Sequence, residues 1–303
     1  MRYLVTGGAG FIGTNLVKEL LSLGHEVVIL DNYAGGKKAE RIQENAKYID
    51  GDIRNEKDLD LACEGIDGIF HLAALPRVTF SVEEPLLTHD VNVNGTLQVL
   101  LAAKKHNIKR VVFSSSSSTY GAEEKNLLKE DGSVKMPISP YALHKLIGEH
   151  YCRLFSDLYG LETVSSIYFK EYAPYLDPEG AYALVVGKFL KQIKEGQAMT
   201  ICGDGEYYRD YTHVYDVVNA NILAMTKENV GHGETFNIGC GTPRTVNELA
   251  KLIGGETVNI DARPGDPRFS GADNTKAKEI LGWEAKVSLE EGIIELKKDW
   301  KIE

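Results

Sequence analysis

Tyr141 and Lys145 stand four residues apart, on one face of a helix that the residue pattern predicts over 141–159. That spacing sets an ammonium beside a phenol. A free phenol gives up its proton near pH ~10, so a tyrosine that works as a base near neutrality needs its phenolate stabilised by about 4 kcal/mol. Nearby positive charge supplies that stabilisation. The pair alone is a common spacing. Its companion is a run of five serines, Ser114 to Ser118, where the fifth predicted strand ends. In a parallel sheet the carboxyl ends of the strands face the ligand crevice. A hydroxyl there can hold a substrate hydroxyl or ketone and pass a hydrogen bond to Tyr141; the other serines then form a polar exit from the strand.

Such groups need a frame to hold them. The chain has 303 residues, 43% hydrophobic and 26% charged, enough for one large α/β domain or one with a small companion. Short apolar runs at 3–5, 26–30, 48–49, 68–72, 110–113 and 163–169 alternate with helical patterns over 11–23, 92–106 and 141–159. This alternation predicts a doubly wound, mostly parallel Rossmann-type α/β sheet with helices on both faces. After about Pro174 the style changes. Helices near 182–195, 217–227, 245–253 and 289–301 are separated by glycine turns such as Gly203-Asp204-Gly205 and Gly239-Cys240-Gly241. The expected division is a nucleotide-binding domain over 1–174 and a smaller, C-terminal, substrate-binding α/β part over 175–303. Segments near 214–240 are expected to return to the first domain.

The run Gly7-Gly8-Ala9-Gly10-Phe11-Ile12-Gly13 follows the first strand and opens the first helix. Glycines at 7, 10 and 13 permit a tight turn, a close backbone approach to a pyrophosphate and close helix–strand packing. The helix N-terminus then offers free N–H groups to the phosphates. Asp31, followed by Asn32, ends the second strand. An acid there bonds the adenosine ribose and repels a 2′-phosphate, which favours NAD over NADP; Lys37 and Lys38 keep NADP open. Past the third strand, Asp52 is placed to receive the adenine amino group and Ile53 to pack on the ring.

Taken together, GGAGFIG, Asp52-Ile53-Arg54, His71-Leu72-Ala73-Ala74, Asn92-Val93-Asn94-Gly95-Thr96, SSSSSTYG and Tyr141-Ala142-Leu143-His144-Lys145 resemble the extended short-chain dehydrogenase/reductase family. Within it the chain looks like the NAD-dependent epimerase/dehydratase branch, and is most similar to the UDP-galactose (UDP-sugar) 4-epimerase group. The resemblance implies Ser116 as the catalytic serine, with Ser117 and Ser118 near enough to the substrate to substitute. It implies Tyr141 as the base and Lys145 as the group that binds ribose and lowers the tyrosine pKa. It places Leu72, Ala73, Ala74 and Asn92 at the cofactor. Arg209 and Arg268 lie in segments that resemble the family's diphosphate-binding elements, a task suited to planar guanidinium. The implied reaction moves a proton from the sugar O4 to Tyr141 and a hydride from C4 to NAD, then returns the hydride to the opposite face of the rotated 4-keto sugar. Such enzymes are usually homodimers built on two long helices per subunit; 92–106 and 140–159 would supply them, or their apolar positions are plain core.

The chain also departs from the family. Where the family reads something like RYFNVYGPR, this chain reads Ile167-Tyr168-Phe169-Lys170-Glu171-Tyr172-Ala173-Pro174-Tyr175. Lys170 replaces the asparagine that contacts the nucleotide-sugar and is the substrate-binding candidate there. Arg77, Thr79 and Phe80 fall in a predicted loop that usually carries small residues, and His213 and Tyr215 are also altered. These changes redraw the sugar pocket, whether for an unusual sugar, another reaction of the 4-keto intermediate (dehydration, decarboxylation, reduction) or an engineered purpose; a non-catalytic NAD-binding scaffold is the remaining alternative. UDP is the expected nucleotide by resemblance, with dTDP, GDP and CDP open.

The net charge of −10 argues against a broad nucleic-acid surface. Four scattered cysteines form no metal-ligand spacing, so no metal is expected. With no membrane span or leader pattern, the expected setting is the cytoplasm.

Overall fold

The computed structural model describes residues 1–122, 126–176, 184–262 and 267–302. Strand β1 (Arg2–Thr6) is buried along most of its length, and the glycine turn hands it to helix α1 (Phe11–Ser22). Strands β2 (Glu26–Asp31) and β3 (Lys47–Asp50) follow. Helix α2 (Glu56–Cys63), capped by the Asn55 side chain, leads to β4 (Gly68–His71). Two short helices, α3 (Val78–Glu83) and α4 (Pro85–His89), run through a π-helical turn at Asp90–Asn94 into α5 (Gly95–Lys105). Strand β5 (Arg110–Ser116), helix α6 (Pro140–Tyr159) and strand β6 (Glu162–Tyr168) complete this half. Helix α6 starts sharply because the Ser139 hydroxyl accepts from Ala142 N and Pro140 takes the first position, where no N–H is needed. It stops at Gly160, whose φ of +67° suits glycine.

The second half is shorter-grained. It contains β7 (Glu171–Tyr172), α7 (Val185–Lys194), β8 (Met199–Cys202), β9 (Tyr208–Arg209), β10 (Thr212–His213) and α8 (Val214–Thr226). Then come β11 (His232–Ile238), β12 (Arg244–Thr245), α9 (Val246–Ile253), β13 (Thr257–Ile260), β14 (Phe269–Ser270), a π-helical turn at Ala277–Leu281 and α10 (Leu289–Trp300).

Seven strands of the described residues form one parallel sheet in the order β11-β6-β5-β4-β1-β2-β3. One apolar cluster packs α1 and α8 on one face, around Leu16, Leu20, Val217 and Trp283; the other packs α2, α5 and α6, around Leu59, Val99, Leu100 and Phe155. This is the doubly wound α/β architecture that the alternation predicts. The late strand β11 lies beside β6 at the sheet edge, so residues beyond 214 re-enter the first layer. A third cluster, with Phe189, Leu249, Ile253 and Leu296, holds the C-terminal part together.

Local departures have local causes. The helical path expected from residue 92 begins at Pro85, because Pro85 opens α4 and the π turn carries the chain on without a break. The predicted loop at Arg77, Thr79 and Phe80 leads into helix α3, with Thr79 and Phe80 inside it. Its buried Ser81 donates to Val78 O (2.6 Å) and accepts from Tyr141 N (3.0 Å), which fixes the helix against α6. The beginning of the helix expected over 182–195 lies outside the described residues. Among the described residues no helix is long and apolar enough to cross a membrane.

Candidate active site

The glycine turn is shaped for close approach. Gly7 has φ +72°, and a Cβ there would sit 2.7 Å from Ala73 N. A Cβ on Gly13 would collide with the Gly7 carbonyl oxygen. The turn therefore presses against the 72–74 backbone and aims the N-terminus of α1 outward, with Phe11 and Ile12 half-buried on its first turn. Gly10 accepts from Thr14 N (2.9 Å) and closes that turn.

Asp31 at the end of β2 is half-buried. Its carboxylate accepts from Ala9 N (3.0 Å) and Tyr33 N (2.8 Å), which fixes it beside the turn. Asp52 is more committed. Arg54 grips it at 2.7 and 2.9 Å, Asn32 donates to it at 3.0 Å, and these hydrogen bonds hold its carboxyl down at about 2. Ile53 is 5% exposed and packs toward Gly95, so it belongs mainly to the core. Asn92 is buried too. Its amide clamps Leu75, accepting from Leu75 N (2.8 Å) and donating to Leu75 O (3.1 Å). It shapes the 72–75 turn, where Leu72, Ala73 and Ala74 are half-buried, through that backbone. A bare glycine turn, a helix N-terminus and a fixed acid at the second strand end fit an NAD dinucleotide: Gly7, Gly10 and Gly13 would line the pyrophosphate, and Asp31 would meet the ribose.

The catalytic candidates converge at the carboxyl ends of β5 and β6. Ser116 ends β5 and stands beside Tyr168 in the strand register. Ser117 and Ser118 lie in the tight turn that follows; Ser118 N (3.3 Å) and Ser118 Oγ (3.0 Å) both donate to Ser116 Oγ. Tyr141 lies buried on α6 and shares a hydrogen bond with Ser116. Burial and then the charge of Glu171 push the phenol well above its ordinary range, and the Ser116 bond pulls it down. Lys145 is 5% exposed and donates to Ser114 O at 2.7 Å. Burial pulls its ammonium down to about 8, against the opposing pull of Cys152, Glu149 and Glu171. An ammonium this poorly solvated is readily drawn to a phenolate or to ribose hydroxyls.

Two features escape a reading by motif. Glu149, one turn past Lys145, is buried; Ser115 Oγ donates to one of its oxygens and Lys135 Nζ to the other. Its only signal in the sequence is spacing, four residues past Lys145 and eight past Tyr141. Asp210 is the second. Fully buried, it accepts from Cys240 N (2.8 Å), Gly241 N (2.9 Å) and Ala272 N (3.0 Å), tying three segments of the C-terminal part together.

The substrate-side candidates are spread more widely. Arg209 is buried on β9 and donates to Tyr208 O (2.8 Å), with its guanidinium 5.7 Å from the centre of the Tyr207 ring. Arg268 lies 4.8 Å from the same ring, and forks onto Asp204 at 2.7 and 2.9 Å in an exposed pair. The Tyr207 ring thus brings the two arginines together. The stretch 263–266 before Arg268 lies outside the described residues. Lys170 is exposed, whereas its neighbour Glu171 is half-buried and is felt by Tyr141 and Lys145. Among the described residues no three metal-ligating side chains cluster.

A parallel doubly wound sheet, a glycine turn at a helix N-terminus and a serine–tyrosine–lysine set at the strand ends define a dinucleotide-dependent enzyme of the short-chain dehydrogenase type. Residues 3–239 match the model of the NAD dependent epimerase/dehydratase family. The UDP-glucose 4-epimerase of Mycolicibacterium smegmatis is 40% identical over 97% of this chain and 96% of its own. A crystal structure of UDP-glucose 4-epimerase from Thermotoga maritima with UDP-glucose is 41% identical, covers 99% of this chain and 98% of its own, and superposes with a TM-score of 0.93. The Thermus thermophilus UDP-glucose 4-epimerase in complex with NAD is 33% identical over 99% of each chain, with a TM-score of 0.91. The chain belongs to the NAD-dependent epimerase/dehydratase family, and NAD is the cofactor of its chemistry.

Proposed function

We propose that the protein interconverts the C4 epimers of a UDP-hexose. The observation that carries this reading is the convergence of Ser116, Tyr141 and the buried Lys145 at the carboxyl ends of β5 and β6, on the same edge of the sheet as the glycine turn. When bound, NAD supplies hydride acceptance and return at C4. The chain's own residues handle the proton. The Tyr141 phenolate takes it from O4, and the Ser116 hydroxyl steadies the substrate oxygen and the phenol together. Lys145, fixed by Ser114 O, favours the phenolate through its charge. Arg209 and Arg268 hold the diphosphate; Arg268 turns from Asp204 to do so, which an exposed ion pair readily allows. Ser117, Ser118 and the 170–171 segment line the sugar side.

Proton NMR of the protein with UDP-glucose and UDP-galactose tests this. The expected result is approach to one equilibrium mixture from either sugar, and a loss of roughly 10³-fold in kcat for Tyr141→Phe. Full turnover by that variant, or no interconversion of either sugar, sinks the reading.

The protein works as a cytoplasmic homodimer in this reading. Support comes from the outer faces of two helices, where Leu101 on α5 and Leu143, Leu154 and Leu158 on α6 are 43–67% exposed. Their spacing on α6 puts them on one stripe, and such a stripe is usually covered. Light scattering should give twice the chain mass, and Leu154→Glu with Leu158→Glu should give one; a monomeric wild type removes the dimer.

A further inference from the structure

Tyr141 has a competitor for the charge of Lys145, and it sits on the same helix. Glu149 follows Lys145 by four residues on α6, so the two share a face one turn apart. A lysine and a glutamate at that spacing ordinarily pair along the helix. Glu149 is 4% exposed, and a carboxylate that dry needs a partner. Left open, it would draw the Lys145 ammonium away from Tyr141, whose ring centre is 6.0 Å from Lys145 Nζ.

Both Glu149 oxygens are given to other donors. Ser115 Oγ donates to one and Lys135 Nζ to the other, so the ion pair of Glu149 is with Lys135. Lys145 donates instead to Ser114 O at 2.7 Å. Lys135 comes from the segment that feeds α6. Its side chain is only 16% exposed, while its apolar neighbours Val134 and Met136 are 71% and 70% exposed. That reverses the usual order of burial, so something specific turns the lysine inward. Its ammonium stands 5.4 Å from the centre of the Tyr120 ring. Beside it, the Met136 carbonyl presses on Gly121, where a Cβ would sit 2.1 Å from that oxygen. The segment is thus laid on the turn that follows Ser116, with Lys135 aimed at Glu149.

The charged and titratable groups about Lys145 are Tyr141, His144, Glu149 and Cys152 on α6, His71 on β4 and Glu171 on β7. Burial, then nearby cations, hold His71 and His144 neutral, down at about 3 and about 4. Burial pushes the Cys152 thiol up to about 12 and the Glu171 carboxyl toward its neutral form. Glu149, on the lysine's own helix face, is the anion best placed to compete.

We propose that Lys135 is a positioning residue: by occupying the Glu149 carboxylate it keeps Lys145 from being captured there, and leaves the Lys145 charge to Tyr141 and the cofactor. This rests on the 4-epimerase reading above and adds to its machinery a residue that acts through Glu149.

The full-length protein with NAD bound is assayed with UDP-glucose across pH. An inactive wild type retires the epimerase reading, and this inference with it. In an active one, Lys135→Met opens the carboxylate to the ammonium. A phenolate that loses its cation holds its proton to higher pH, so the acid limb of kcat should rise by roughly one pH unit, with kcat below the limb down roughly tenfold. Lys135→Arg keeps the pair and should keep the limb. Glu149→Gln removes the competitor and should leave the limb at or below its wild-type position, and Lys135→Met combined with Glu149→Gln should return it there. A segment that Lys135 merely braced would behave otherwise: both single variants would be slow and the double variant no faster. Circular dichroism and bound NAD check folding; if Lys135→Met does not fold, Lys135→Gln, which also removes the charge, takes its place with the same expected shift. An unmoved limb in the Lys135 variant, or a double variant as slow as the single one, overturns the inference and leaves the epimerase reading standing.

Discussion

Strand β5 has a buried cation packed at each end, Arg110 of its own and Lys145 from α6, and the two are treated differently. Arg110, at its start, is 3% exposed and saturated. It donates to the carbonyls of Ala224 (3.0 Å), Met225 (3.0 Å), Lys227 (2.6 Å) and Val230 (2.7 Å) and pairs with Glu162 at 2.6 Å. Lys145, packed under the other end, has the Ser114 carbonyl, the face of Phe113 at 4.9 Å and a carboxylate one helical turn away. Arg110 is a rivet that joins the strand to the end of α8 and the turn before β11. Lys145 is left under-solvated, and its charge is available to whatever forms at Tyr141. A buried charge that the fold fully satisfies holds structure, and one that it leaves wanting is the better candidate for chemistry.

The sharpest way to break that contrast is to exchange the losses. Arg110→Met leaves Glu162 and several carbonyls without a partner, so stability should fall by roughly 3–5 kcal/mol, while kcat per folded molecule stays within a few-fold. Urea unfolding paired with active-site titration measures both, and a large loss of kcat with unchanged stability would reverse the roles. Lys145→Met should do the opposite. Its kcat should drop by roughly 10²–10³-fold, and stability should stay level or rise, because an ammonium that burial holds down at about 8 costs the folded state whenever it is protonated.

A smaller effect tests whether saturation at the site end also holds. His71 uses both ring nitrogens, toward Thr6 (2.7 Å) and Thr96 (2.9 Å), and burial keeps the ring neutral down to about 3. Its unfolded form takes a proton below pH ~6.5. Its contribution is therefore intact above 6.5 and lost as pH falls toward 3, amounting to roughly 3 kcal/mol at pH 4. Stability measured against pH should show that slope, and His71→Gln should flatten it. An unchanged slope would mean that His71 is not the group responsible.

Much of this was legible in the residue pattern, for physical reasons. Strands that alternate with helices at full burial leave a clear apolar rhythm, and a glycine turn between them has one conformational meaning. What stayed hidden depended on contacts across the chain. Asn92 sits in a motif, yet only the fold reveals that its amide holds Leu75. The Lys170–Glu171 pair shows two charges side by side, and only the fold reveals that Lys170 is exposed and Glu171 half-buried. Glu149 and Asp210 read as ordinary acids until their partners, Ser115 and Lys135 for one and three backbone N–H groups for the other, come from far along the chain. The edge position of β11 has no local signal, because its partner β6 ends 64 residues before it begins.

That separation matters during synthesis. Strand β6 leaves the ribosome with one side bare, and of Arg110's partners only Glu162 exists; the carbonyls of Ala224, Met225, Lys227 and Val230 are still to come. At roughly 5–20 residues per second, between 3 and 13 seconds pass before His232 emerges to cover that side. Through that interval the nascent chain carries an unpaired strand edge and a guanidinium that lacks its four carbonyl partners, a combination that invites strand addition from a neighbouring chain. The order in which the segments are made thus sets a moment of aggregation risk that the finished molecule no longer shows.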